Sequence, residues 1–197
     1  MYLTGNTIKE LYCNGEIVIR PLLSETQFGE ISLDFRLGTD FLVSFQGREA
    51  FIDASGDSPL RPIGSFFQET KRLLGETILL HSHQTVLCST LEYIKIPDNI
   101  FLVLSTRSSY SRLGLTVASM VQPGYCGCLS LELTNNNNNP IKLRVGASIV
   151  QARFFRMESG TNYFSKERKY SCQVRPVASK ADKDDELIHL KNLLEIH

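Results

Sequence analysis

Two stretches of this 197-residue chain concentrate side chains able to do chemistry. The first is Arg107-Ser108-Ser109-Tyr110-Ser111-Arg112-Leu113-Gly114-Leu115, directly after an apolar run. Guanidinium forks, hydroxyls and turn amides together suit a phosphate group. The same residues also suit a polar turn that leads into a surface helix. The second stretch is Gln122-Pro123-Gly124-Tyr125-Cys126-Gly127-Cys128-Leu129-Ser130-Leu131-Glu132-Leu133-Thr134-Asn135. Strand alternation puts Glu132 on one face with Ser130 and Thr134, opposite Leu129, Leu131 and Leu133. A carboxylate there reads either as a general base tuned by partial burial or as a solvent-facing Glu on a sheet surface.

Other chemistries fit less well. Cys126-Gly-Cys128 and His81-Ser-His83 supply zinc-ligand types, but both spacings lie outside the usual zinc patterns, so no zinc is expected. The H-x-E…P-C-x-x-C signature of zinc deaminases is missing. So are the G-x-S-x-G elbow of serine hydrolases and the P-loop of nucleotide triphosphatases.

The elements that must position these groups read mainly as strands. Thr4 caps a short helix that runs to Asn14, with Ile8, Leu11 and Tyr12 on one face. Strands are predicted over residues 16–20, 31–37, 41–45, 50–53, 77–80, 85–90, 94–96, 100–106, 129–133, 141–145 and 149–155, with a turn at Gly47. Residues 54–75 form an excursion with a short helix around Phe66 to Leu73, and the Asn135–Pro140 run is a loop. Residues 158–181 read as an extended arm. Leu187, Leu190, Leu193 and Leu194 give the end of the chain an amphipathic helix. Short strands separated by turn residues at close spacing indicate a sandwich or barrel. The division is one domain over 1–184 and a helical extension over 185–197.

Lys+Arg and Asp+Glu both total 21, so there is no basic excess for nucleic acid and no such partner is expected. No stretch approaches the roughly 18 apolar residues of a membrane span. Met1 to Arg20 lacks the basic flank and apolar run of a secretory signal. The 5 cysteines have no framework spacing, which points to a reducing, cytoplasmic setting.

The motifs taken together resemble the dCTP deaminase family, a branch of the dUTPase superfamily. They are Ser32-Leu33-Asp34-Phe35-Arg36-Leu37-Gly38, Phe51-Ile52-Asp53-x-Ser55-Gly56 and Arg107-Ser108-Ser109-x-x-Arg112-Leu113-Gly114-Leu115. Pro123-Gly124-Tyr125-x-Gly127-Cys128-x-x-Leu131-Glu132-Leu133-x-Asn135 follows, then Gly146 and Gln151. Lys169-Tyr170-x-x-Gln173 and Val177-Ala178-Ser179-Lys180-x-Asp182-Lys183-Asp184 complete the series.

The resemblance implies a mainly β, distorted dUTPase-like barrel (the β-clip fold) with short peripheral helices, forming a homotrimer with sites at its interfaces. It implies a nucleoside triphosphate of the dCTP/dUTP/dTTP class, Mg²⁺ bound through the phosphates, and a deamination of dCTP to dUTP and ammonia that needs no metal. Glu132 would activate the water, Ser108 and Arg112 would support the reacting centre, and Arg107, Ser108 and Ser109 would reach across the interface. Gln122 and Tyr125 would line the substrate pocket, and Gln151, Tyr163, Lys169, Tyr170 and Gln173 would close over the phosphates. The alternatives are a dUTPase-type pyrophosphatase, alone or combined with deamination, and an inactive nucleotide-sensing relative.

Two departures bear on this. Thr116 to Gln122 is shorter than the family's corresponding hairpin, which shapes the pyrimidine pocket. Gln122 stands where the resemblance leads one to expect Asp, the residue that orients the hydrolytic water in dUTPases.

Overall fold

The computed structural model describes residues 1–45, 51–56, 61–117, 119–165 and 168–194. Thr4 caps α1 (Gly5–Cys13) as its sequence suggests: the hydroxyl accepts from the amide of Thr7, and Ile8 and Leu11 are buried. Among the described residues eleven strands follow: β1 (Val18–Arg20), β2 (Leu33–Ser44), β3 (Phe67–Lys71), β4 (Thr77–Leu80), β5 (Thr85–Lys95), β6 (Ile100–Thr106), β7 (Leu115–Thr116), β8 (Ser119–Val121), β9 (Cys126–Asn135), β10 (Ile141–Arg144) and β11 (Ser148–Arg156). A one-turn α2 (Ser108–Ser111) interrupts them and α3 (Asp185–Leu194) ends the described chain.

The main sheet runs β7-β9-β5-β2-β11-β6-β8, with β1 added to β5 and β3 added to β2; β10 and β4 form a separate pair. Its two end strands, β7 and β8, are joined in sequence by residues 117–118 alone. So short a link forces the ends together, and the sheet curls into a distorted barrel. The inward residues of β6, Ile100, Leu102, Leu104 and Thr106, are buried in strict alternation. Ile100, Leu102 and Leu104 form part of one continuous core with Phe35, Phe41 and Phe154.

Three expectations need correction. The predicted strands over 31–37 and 41–45 are one strand, β2, and those over 85–90 and 94–96 are one strand, β5. Both carry register shifts at the same place, between Leu37 and Phe41 and between Ser89 and Tyr93. Gly38 sits in that kink, where a Cβ would come within 2.7 Å of the Ser89 carbonyl oxygen. The segment from Phe66 to Leu73 is mostly strand: Phe67 to Lys71 pairs with Ser44 to Asp40 of β2. A helix of two turns is marginal by itself, whereas the edge of β2 offers a full ladder. Residues 51–53 are irregular, because Asp53 turns the chain by accepting from both the amide and the hydroxyl of Ser55. Ala50 and the expected turn at Gly47 lie outside the described residues.

The kinked region encloses Glu92, which is 0% exposed. Its carboxylate accepts from Gln27 Nε2 at 3.0 Å and from the Arg36 amide at 2.9 Å, with Arg36 Nε 3.9 Å away. Burial pushes this carboxyl above the usual range, and the bonds from Arg36 and Gln27 oppose that. Substituting Glu92→Leu would strand those buried donors and should cost about 3–5 kcal/mol in urea unfolding, with Glu92→Gln costing clearly less. A Glu92→Leu midpoint equal to that of the parent would show that the node contributes nothing.

Candidate active site

One face of β9 presents Cys128, Ser130, Glu132 and Thr134 in alternation with buried Leu129, Leu131 and Leu133. Ser130 and Glu132 of this face, with the adjoining Leu129 and Leu131, form a wall of a cavity of about 470 Å³. Leu87 lies directly across the ladder from Glu132. Met120 and Gln122 enter from the short hairpin, and Tyr125 from the turn before β9. The arm completes the enclosure with Tyr163, Arg168, Lys169, Tyr170 and Gln173.

The arm is held by its own contacts. The Cys128 amide donates to the Gln173 carbonyl at 2.7 Å, and the Ser130 hydroxyl bonds the Gln173 side chain. Tyr163 is buried, packs edge-on against Tyr125 at 6.1 Å and carries the Arg168 guanidinium over its ring at 4.5 Å. The Tyr125 hydroxyl donates to the Cys128 carbonyl at 2.6 Å, so its ring is wall and its polar end is occupied. Lys169 forms an ion pair with Asp184, and the Tyr170 hydroxyl accepts from the Lys180 amide at 2.8 Å.

Glu132 faces solvent in the single chain, yet its neighbours remove enough water to raise its pKa above the ordinary carboxylate value. The only opposing influence is a hydrogen bond with its own backbone. A carboxylate raised in this way is a stronger proton acceptor near neutrality than an ordinary surface Glu.

The cavity therefore gathers seven of the residues singled out from sequence: Gln122, Tyr125, Glu132, Tyr163, Lys169, Tyr170 and Gln173. Arg107, Ser108, Ser109, Arg112 and Gln151 are not among its lining. Arg107 stands just before α2 without a capping bond, and pairs through Nε with Asp34 Oδ2 at 3.1 Å. Burial raises the Asp34 carboxyl, and Arg107 and then Arg36 hold it down. Gln151 lies across the ladders from Asp34 and from Ser105, and its amide reaches the Ser105 hydroxyl at 3.2 Å. Arg153 donates to the same hydroxyl at 3.1 Å. Ser108, Ser109 and Arg112 are exposed. The residues singled out from sequence thus fall into those that line the cavity and those that do not.

Arg168 and Ser130 belong to the cavity and were not singled out from sequence. Ser130 was legible as a same-face neighbour of Glu132. Arg168 carried no signal, because only the docking of the arm brings it in. Asn135, quoted within a motif, is structural: its buried amide donates to the carbonyls of Leu80, His81 and Asn139 and holds the loop between β9 and β10.

Among the described residues no three His, Cys, Asp or Glu side chains converge as a metal-binding set, and no helix is long and apolar enough to cross a membrane. Beyond Asp184, α3 lays Leu187 against Gly56 and leaves Leu190 and Leu193 about half exposed.

A family model described as dCTP deaminase-like matches residues 2–157. The chain is 33% identical over 192 residues to "dCTP deaminase, dUMP-forming" of Methanobrevibacter smithii, covering 94% of this chain and 97% of that one. It is 36% identical to the protein of the same name from Dictyoglomus thermophilum, covering 93% and 96%. Identity to the dCTP deaminase of Natronomonas pharaonis is 34%, covering 94% and 97%. The crystal structure of 2'-deoxycytidine 5'-triphosphate deaminase from Agrobacterium tumefaciens superposes with a TM-score of 0.59 at 22% identity, over 78% of this chain and 47% of that longer one. The superposition shows a shared fold, and the family model and the sequence relatives show that the chain belongs to the dCTP deaminase-like family.

Proposed function

We propose that the protein deaminates dCTP at the Glu132 cavity, converting dCTP and water to dUTP and ammonia. Glu132 takes a proton from a water beside C4 of the cytosine. The resulting hydroxide adds to C4, and Glu132 returns protons to the departing amino group. The observation that carries this reading is a carboxylate raised in pKa by partial loss of water, the one acid among the described residues that line a cavity sized for a nucleotide. The names of the relatives support dCTP as the substrate.

The second set of residues completes the site from a neighbouring subunit. In a homotrimer, Arg107, Ser108, Ser109, Arg112 and Gln151 of one chain face the cavity of the next, and Arg107 and the serines bind the triphosphate. Lys169 and Tyr170 close over it from the arm. Mg²⁺ fits as the counter-ion of the triphosphate, since among the described residues the cavity offers a lone carboxylate and Mg²⁺ favours phosphate oxygens and water over an all-protein cage.

A second reading is favoured by the dUMP-forming relatives: a further water would cleave the α–β phosphate bond of dUTP and release pyrophosphate. Gln122 lines the cavity, and its neutral amide cannot take a proton from that water. The expected result with dCTP and Mg²⁺ is therefore ammonia without stoichiometric pyrophosphate. Gln122→Asp should raise pyrophosphate release by at least about tenfold. Equal yields of ammonia and pyrophosphate from the unaltered protein would establish the second reading. Tight nucleotide binding with neither product would leave only a sensor.

A further inference from the structure

We propose that Cys126 and Cys172 are a reversible redox pair whose disulfide ties the arm to β9 and slows exchange of the ligand in the Glu132 cavity. The two sulfurs lie 3.1 Å apart as free thiols, although 46 residues separate them in sequence. Cys172 is exposed and Cys126 partly so, which leaves both open to a small reagent. Neither side chain lines the cavity.

Their meeting is built into the docking of the arm. Gln173, next to Cys172, bonds both Cys128 and Ser130 of β9. Gly127, next to Cys126, lets the arm approach to a distance no side chain would allow: a Cβ there would lie 2.5 Å from the Gln173 carbonyl oxygen, at a φ of +145°. Cys172 itself takes a left-handed φ of +50°, uncommon for a residue with a side chain. Arg175, three residues on, pairs with Asp40 of β2 at 3.7 Å. These anchors hold the thiols in contact, so the second bond-forming step is intramolecular and fast.

The oxidant is a low-molecular-weight disulfide. One cysteine, as thiolate, attacks it, its S–S bond breaks, and one small thiol leaves behind a mixed disulfide. The second cysteine attacks the protein sulfur of that bond and expels the second small thiol. The protein loses two electrons and two thiol protons, and the small disulfide is reduced to two thiols. In a reducing compartment such a bond is transient, which suits a switch better than a structural staple.

The consequence follows from what the arm carries. Tyr163, Arg168, Lys169, Tyr170 and Gln173 wall the cavity, so a bond between residue 172 and β9 restrains the segment that must open for ligand to enter and leave. That the ligand is a nucleotide rests on the function proposed above; the bond and the tethering do not.

The test oxidises the full-length protein with oxidised glutathione. Non-reducing digestion with mass spectrometry should find one linkage, Cys126 to Cys172 within a chain. Tryptic cleavage after Arg168 and Lys169 should slow by about tenfold, as should dissociation of a fluorescent dCTP analogue, both reversed by dithiothreitol. Cys126→Ser and Cys172→Ser should keep the reduced protein's rates with or without oxidant. Linkage through Cys13 or Cys128, linkage between chains, or no linkage would overturn the proposal, as would a correct linkage with unchanged cleavage of the arm. If the analogue does not bind at all, the proposed function fails, while linkage and cleavage still decide the redox pair.

Discussion

Replacing Glu132 with Gln should lower ammonia release from dCTP by about 10³-fold while nucleotide binding changes little, because Gln keeps the size of the side chain and removes its basicity. The pH behaviour distinguishes this from a packing role. The working base is the ionised form, so the rate must rise with pH through the pKa of Glu132. Burial lifts that pKa, so the acid limb of kcat/KM should lie above the ordinary Glu value of about 4.3 and vanish in the variant. Stability should move in the opposite sense. A carboxyl whose folded pKa is raised favours the native state at low pH, and that contribution is lost as pH rises from the ordinary value through the folded one. At pH 8 Glu132→Gln should therefore be at least as stable as the parent in urea. Retained ammonia release, or an unfolded variant, would remove Glu132 from the role assigned to it.

Two inactive variants should restore one another. Arg107→Ala removes the cation at the start of α2 and should also reduce turnover by about 10²–10³-fold, the loss typical of a deleted anion-stabilising group. If each site joins Glu132 of one subunit to Arg107 of the next, a trimer mixed from Glu132→Gln and Arg107→Ala chains contains some intact sites. Random mixing of equal amounts leaves about a quarter of sites with both groups unaltered, so co-expressed chains should recover about a quarter of parental activity. A site built within one chain has no such route, and its mixture would stay inactive. The single-chain geometry motivates the experiment: Arg107 pairs with Asp34, and neither it nor Gln151 lines the cavity that holds Glu132. The measurement needs only differential tags, refolded or co-expressed mixtures, and an ammonia assay.

The chain's own periodicity settled which side chains share a face. Alternation from Leu129 to Leu133 is enough to put Glu132 outward with Ser130, and alternation from Ile100 to Thr106 is enough to make β6 a core strand, because these patterns come from the two-residue pleat. The cap at Thr4 and the terminal helix were legible for the same reason: each depends on neighbours a few residues away.

Tertiary structure decided everything that depends on a distant partner. Phe67 to Lys71 became a strand because β2 offered an open edge, and Glu92 became a buried acceptor because the paired kinks in β2 and β5 closed over it. The arm has almost no periodicity to read, yet its docking on β9 brought Arg168 into the cavity and Cys172 to Cys126. The resemblance implied that Arg107 reaches Glu132 across an interface, and within one chain Arg107 lies outside the lining of the Glu132 cavity. Local pattern fixes which way a side chain points. Which groups meet there is set by the pairing and packing of segments far apart in the chain.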